Sequence, residues 1–170
     1  MSKNMNEKSN PGLDTKRQML RHTLATLAYR GAKAISNAPT GFGQFRTGDK
    51  TRTPGEILAH IGDLFDWALC LAKGEHRWQD SKPLPWEQEI ARFFGAIQVF
   101  DDYLASESPL GFPSERLFQG PIADALTHVG QIAMLRRMAG APIRGENYFK
   151  AEIAVGTLGA TPSVNRVEFD

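Results

Sequence analysis

The sequence lacks several features that would place the protein outside a reducing, aqueous compartment. Its single cysteine, Cys70, excludes an internal disulfide framework and is typical of a protein in the cytoplasm. No apolar run approaches the roughly 18 residues that a membrane-spanning helix needs. Residues 1–12 contain no apolar segment, so they predict a disordered polar leader and not a signal peptide. Together these absences predict a cytoplasmic protein with no membrane partner.

An excess of charge of either sign is also absent. The chain carries 20 Lys and Arg residues against 19 Asp and Glu residues, for a formal net charge of +1. Binding to the phosphates of a nucleic acid requires a concentrated basic surface, so this balance argues against a nucleic-acid partner. The length of 170 residues predicts a single globular domain.

Strand patterns are missing as well, because no stretch of useful length alternates apolar and polar residues. Four amphipathic segments of roughly 20 residues take their place. They are predicted to be helices over Leu13–Ile35, Thr53–Lys73, Pro85–Ala105 and Gly120–Gly140, the last with Pro121 as its first helical residue. Thr53 and Glu56 fit a capping box at the start of the second helix. This pattern predicts an all-α protein, folded as an antiparallel four-helix bundle.

The bundle is predicted to occupy residues 13–155 as one domain, followed by an irregular tail over residues 156–170. Within the domain, Glu146–Val155 is amphipathic and predicts a short C-terminal helical extension. The glycine-rich loop of residues 38–52 has a length that is often functional. Its aromatic residues, with Arg46, would either form a lid over a site or pin the loop to the core.

One row of polar side chains stands out on the fourth predicted helix. Asp124, His128 and Gln131 follow one another at i, i+4 and i+7, which places them along one line of the helix surface. On the second helix, His60 projects beside apolar residues and is expected to face inward. Metal sites of helical bundles are built from side chains on facing helices. Two imidazoles and a carboxylate suit Zn, Fe(II), Ni or Mn, and ligand type alone does not choose among these metals.

The same residues also allow a purely structural interpretation. Asp124 lies in the first turn of its predicted helix, where the helix dipole favours an acidic side chain. His60 and His128 would then be hydrogen-bonded core histidines. The D-x-x-x-H spacing is a weak motif, so the residues alone leave both interpretations open.

Two segments resemble the DinB/YfiT-like family of metal-dependent enzymes. They are EILAHIGDLFDWAL, which contains His60, and DALTHVGQIAMLRRMAG, which contains the H-x-G-Q element at His128 and Gln131. The likeness covers the four-helix core, roughly Leu13 to Gly140. It implies an up-down-down-up four-helix bundle, often dimeric. It also implies a site of three histidines, one on the second helix and two, four residues apart, on the fourth.

His60 and His128 match two of these three positions, and the third falls on Asp124. A carboxylate is a suitable ligand, but its charge makes the metal a poorer Lewis acid than a three-histidine site would. The resemblance implies a homodimer that acts on a small molecule, as a hydrolase or as a transferase dependent on a low-molecular-weight thiol. Gln131 and Asp63 would orient the metal ligands by hydrogen bonds without binding the metal themselves. Gln131 equally suits a helix–helix hydrogen bond. The alternative is a non-catalytic bundle that binds a metal, a small ligand or a partner protein.

Overall fold

Within residues 11–161 and 166–169, which the computed structural model of the chain describes, all the regular secondary structure is helical. Four helices are long, and a fifth has a single turn. They are α1 (Pro11–Ile35), α2 (Pro54–Ala72), α3 (Trp86–Ala105), the short α4 (Ser114–Leu117) and α5 (Ala123–Met138). The prediction of an all-α protein is confirmed. None of these helices combines the length and the hydrophobicity that crossing a lipid bilayer requires.

The predicted leader lies largely outside the described residues, and the predicted tail lies partly outside them. Of the predicted leader over residues 1–12, only the last two residues are described, and they already belong to α1. The predicted tail over residues 156–170 is described at 156–161 and 166–169.

Helix α2, which carries His60, has well-defined ends. At its start the Thr53 hydroxyl accepts a hydrogen bond from the Glu56 N–H at 3.1 Å, and the Glu56 carboxylate accepts one from the Thr53 N–H at 2.6 Å. This capping box was predicted from the sequence. At the other end Gly74 has a φ of +87°, and the Glu75 N–H donates to the Cys70 carbonyl at 2.8 Å. The positive φ explains why a glycine stops the helix here.

The core lies between the four long helices. Helix α2 contacts α3 and α5, and α1 contacts the same two helices. Each helix therefore has two neighbours, and its apolar stripe is buried between them. The largest fully buried side chains include Leu24, Leu27, Leu58, Ile61, Phe65, Phe93, Ile97 and Phe100. This arrangement places α2 and α5, the two helices with the candidate ligands, side by side.

The predicted helical extension over Glu146–Val155 is wrong, because the described residues after Met138 form no helix. The backbone of Glu146 instead forms an isolated antiparallel bridge with Glu168. The Glu146 carboxylate is buried and accepts hydrogen bonds from Tyr29 and Lys33 of α1. At Glu146 the segment is therefore held by contacts with α1 and not by a helix of its own.

A glycine contact between two loops gives the first testable prediction. A Cβ atom on Gly111 would lie 2.1 Å from the Cα of Gly74, and the Gly111 N–H donates to the Ala72 carbonyl at 2.8 Å. Because backbone atoms cannot move aside cheaply, we expect Gly111→Ala to lower the free energy of unfolding by about 3 kcal/mol. Urea denaturation measures this change.

Gly95→Ala provides the matched control for that substitution. Gly95 lies inside α3, and a Cβ atom there would have no neighbour within 4 Å. Alanine is a better helix former than glycine, so this substitution should raise the free energy of unfolding by about 0.5–1 kcal/mol. Equal effects of the two substitutions would contradict the close contact between the loops.

Candidate metal centre

The segment that leads into α5 determines where Asp124 and His128 lie. Helical backbone begins at Ser114, runs through α4 and continues as a π-helical turn over Phe118–Ile122 before α5 starts. The prediction that Pro121 is the first helical residue is therefore wrong. Proline has no N–H, and its ring conflicts with the carbonyl four residues earlier in an α-helix. The wider π-helical turn accommodates the proline without ending the helix.

This continuity removes the helix-dipole explanation for Asp124. The Ala123 N–H at the start of α5 is already bonded to the carbonyls of Phe118 and Gly120. The free N–H groups of the helical segment lie more than a turn upstream, at α4. Because the dipole effect falls off within the first turn, it does not account for an acid at position 124.

Three polar side chains of α2 and α5 converge at one point. The Nε2 atom of His60 lies 3.6 Å from the Oδ2 atom of Asp124, and the Nδ1 atom of His128 lies 3.2 Å from Oδ1 of the same carboxylate. One ligand atom of each of the three residues lies within 4.8 Å of the other two. Two atoms that bind one tetrahedral ion at about 2.1 Å lie about 3.4 Å apart. Nε2 of His60 and Oδ2 of Asp124 are already close to this separation, and His128 lies near enough to complete a three-residue set.

The tautomer of His128 can be read from its hydrogen bond. Its Nδ1 atom lies 2.9 Å from the backbone carbonyl oxygen of Asp124. A carbonyl oxygen only accepts, so Nδ1 donates and the lone pair is on Nε2. Histidines that bind metals commonly hold their second ring nitrogen in this way, which fixes the orientation of the ring.

His60 is held in a partly buried position beside aromatic rings. Its ring centroid lies 5.5 Å from that of Trp78 and 4.8 Å from that of His128. Burial lowers the pKa of His60, the charges of His128 and Arg52 lower it further, and Asp124 offsets these effects only in part. The ring is therefore neutral at pH 7 and keeps a lone pair, which a metal ligand requires.

The centre is open on one side. The side chain of Asp124 is 45% exposed, against 20% for His60 and 11% for His128. An open cleft of about 700 Å³ adjoins His128. Its lining consists of Thr47, Thr51, Arg52, Ile57, Thr127, His128, Gly130, Gln131, Met134 and Leu135. A small molecule in this cleft would contact His128, which is the one of the three residues that belongs to the lining.

The two residues expected to support the ligands have different positions. Gln131 is exposed and lines the cleft beside His128, and it makes no hydrogen bond to another described residue. Asp63 is buried, but its carboxylate accepts hydrogen bonds from the Ser81 N–H at 2.9 Å and from Arg92 at 2.6 Å. These contacts tie Asp63 to α3 and to the connection that precedes it, and neither of them involves His60.

The first part of the loop of residues 38–52 is held in place by contacts with α2 and α3. Phe42 is buried, with its ring edge-on to Trp86 at a centroid distance of 5.5 Å and stacked with Phe45. Arg46 forms an ion pair with Glu56 at 3.2 Å. Of the two interpretations drawn from the sequence, pinning of the loop by its own aromatic residues is the one that these contacts support.

The other half of the loop contributes to the cleft, which the sequence analysis missed. Thr47, Thr51 and Arg52 line it together with the α5 residues. Arg52 immediately precedes Thr53, the N-cap of α2, so the capping box fixes its backbone. That adjacency to the helix with His60 was the one available indication in the sequence.

Comparison with models of protein families, with curated proteins and with solved structures finds no match. The chemical interpretation of the centre therefore depends on its own residues. These are two imidazoles and one carboxylate, contributed by two neighbouring helices at the edge of an open cleft.

Proposed function

We propose that the protein is a metal-dependent enzyme in which His60, Asp124 and His128 hold one divalent transition metal ion. The observation that carries the proposal is the convergence of one ligand atom from each residue within 4.8 Å. Two of the ligands are a turn apart on α5, whereas His60 comes from α2, far away in the sequence. Zn, Ni, Fe(II) and Mn all suit a set of two histidines and a carboxylate.

The segments around His60 and His128 support placing the chain with the DinB/YfiT-like enzymes. We include in the proposal the up-down-down-up order of the four long helices and a homodimer. The neighbour relations of the helices support a bundle, since α1 and α2 each lie against α3 and α5. Asp124 in place of the usual histidine is the distinguishing feature of this chain within that type.

A divalent ion held by these residues would polarise a substrate oxygen or lower the pKa of a water molecule or a thiol. The chain itself holds the ion and leaves the side near the exposed Asp124 open. The adjoining cleft offers room for a small substrate. Hydrolysis and transfer dependent on a low-molecular-weight thiol are the two reaction classes that we propose.

Metal analysis of histidine variants tests the proposal. The purified wild-type chain should bind about one divalent transition metal ion, and His60→Ala and His128→Ala should each lose it. His22→Ala is the matched control, because His22 is exposed on α1 and lies outside the centre. A wild-type chain that binds none of the four metals, and whose melting temperature they leave unchanged, would overturn the metal centre.

The alternative of a non-catalytic metal-binding or ligand-binding bundle predicts the same metal content. Substrate screens with esters, amides and thiol acceptors separate the two functions. An enzyme should show turnover that disappears in His60→Ala and survives in His22→Ala. Stoichiometric binding of metal without turnover in any of these classes would favour the alternative.

A further inference from the structure

Most polar groups of the cleft beside His128 already have partners within the chain. The Thr51 hydroxyl donates to the Gly48 carbonyl at 2.7 Å and lies 3.3 Å from the Thr47 hydroxyl. The Thr127 hydroxyl donates to the Asp124 carbonyl at 2.7 Å. These three hydroxyls hold the walls of the cleft, and their hydrogens are already used, so they have no donor left for an anionic ligand.

Two polar side chains in the cleft, those of Arg52 and Gln131, differ from these hydroxyls in their lack of partners among the described residues. Within the described part of the chain, neither the Arg52 guanidinium nor the Gln131 amide has a hydrogen-bond or ion-pair partner. This is not a general property of the loop, because Arg46 is paired with Glu56. Arg52 is also the one residue with a permanent charge among the described residues that line the cleft.

The remaining lining is apolar. Ile57 from α2 and Leu135 from α5 are buried, and the exposed Met134 lies beside them. The cleft therefore combines an apolar wall, a free guanidinium and, at His128, an edge of the candidate metal centre. A guanidinium has a planar fork of donors that matches a carboxylate in a bidentate manner.

We propose that Arg52 recognises a carboxylate of the substrate. The substrate is a small monocarboxylate with an apolar body that lies against Ile57 and Met134, while its reacting end reaches the residues around His128. A single cation in the lining matches a single negative charge, which favours a carboxylate over a phosphate. The reacting end rests on the proposed function, whereas carboxylate recognition by Arg52 does not depend on a metal.

Two matched probes test the proposal. Both are six-carbon chains with a hydroxamic acid at one end, which suits a metal ion, and they end in either a carboxylate or an uncharged carboxamide. Calorimetry on the purified chain should show about tenfold tighter binding of the carboxylate probe, the scale of a charge-assisted hydrogen bond. Arg52→Gln should abolish this preference and leave the affinity for the carboxamide probe unchanged.

Arg137→Gln is the control, because Arg137 is an exposed arginine of α5 outside the cleft lining. It should keep the tenfold preference. Arg52→Gln should melt at the wild-type temperature, since no described residue pairs with Arg52 and would lose a contact in the variant. Equal affinities for the two probes in the wild type, or a preference that survives in Arg52→Gln, would overturn the assignment of Arg52.

Two further measurements separate carboxylate recognition by Arg52 from the metal centre and from recognition of a phosphate. Removal of metal with a chelator should lower the affinity for both probes by the same factor and leave the ratio of the two affinities unchanged. If chelation changes neither affinity, the metal centre fails while the ratio still reports on Arg52. A third probe that ends in a phosphonate should bind no better than the carboxylate probe, and a much tighter phosphonate would overturn the choice of carboxylate.

Discussion

The Asp124→Ala variant is expected to bind Zn²⁺ about 100-fold more weakly than the wild-type chain. Four-ligand zinc sites bind with roughly 10–16 kcal/mol, so one ligand accounts for about 3 kcal/mol, and each 1.4 kcal/mol is about a factor of ten. Asp124 lies between the two histidines, 3.6 Å from Nε2 of His60 and 3.2 Å from Nδ1 of His128. Competition with a chromophoric chelator at pH 7 measures the change.

Two further variants show whether the loss is specific. Asp102→Ala removes an exposed carboxylate of α3 that accepts a hydrogen bond from Gln98, and it should leave Zn²⁺ affinity unchanged. Asp124→His restores a third imidazole at this position and should retain the metal. Wild-type affinity in Asp124→Ala would show that the carboxylate is not a ligand.

The second large effect is expected at the buried ion pair that attaches the C-terminal segment to α1. Lys33→Met should lower the free energy of unfolding by about 3–5 kcal/mol, because it leaves a buried carboxylate without its counterion. The Nζ atom of Lys33 lies 2.7 Å from Glu146 and 2.8 Å from Glu168, and the Glu146 side chain is fully buried. Among the described residues, the Tyr29 hydroxyl would remain as the donor to the Glu146 carboxylate. Urea denaturation gives the difference.

An exposed ion pair elsewhere on α1 supplies the control. Lys16 pairs with Glu115, and both side chains are more than half exposed. Lys16→Met should change the free energy of unfolding by less than about 1 kcal/mol. If Lys33→Met were as mild as Lys16→Met, the C-terminal segment would not be held by this pair.

The pH dependence of the Lys33 effect follows from its pKa. Burial lowers the pKa of Lys33, but the hydrogen bonds with Glu146 and Glu168 outweigh burial and raise it above its ordinary value. A pKa that is raised in the folded state gives stability that is complete below the unfolded value of about 10.4. The difference between Lys33→Met and the wild type should therefore stay constant near neutral pH. It should shrink only as the pH rises through the folded pKa.

The parts of the structure that depend on residues close in sequence were predictable. Helical periodicity placed the four long helices, and the Thr53–Glu56 capping box marked the start of α2 correctly. The i, i+4 relation of Asp124 and His128 is a property of any α-helix, so their proximity needed no knowledge of the fold. The cost of leaving N–H groups unsatisfied at a helix start is a local effect, and local sequence is enough to show how it is met.

Other features depended on atoms that the sequence does not bring together. Pro121 predicted a helix start, but helical backbone already begins at Ser114, and a π-helical turn lets it continue past the proline. The polar pattern at Glu146 predicted a helix, yet its carboxylate serves Lys33, a residue on α1. Asp63 was predicted to orient a metal ligand. Its carboxylate instead accepts hydrogen bonds from Arg92 of α3 and from the Ser81 N–H.

The sequence alone was enough for an all-helical fold and for a helix with Asp124 and His128 in one row, because both follow from short-range periodicity. Only tertiary structure decided that α2 lies against α5, which brings His60 within 3.6 Å of Asp124. It also decided that Arg52, in the adjoining cleft, has no partner among the described residues, whereas Arg46 pairs with Glu56. Helix neighbours and charge partners follow from burial of the whole core, which no single segment can specify.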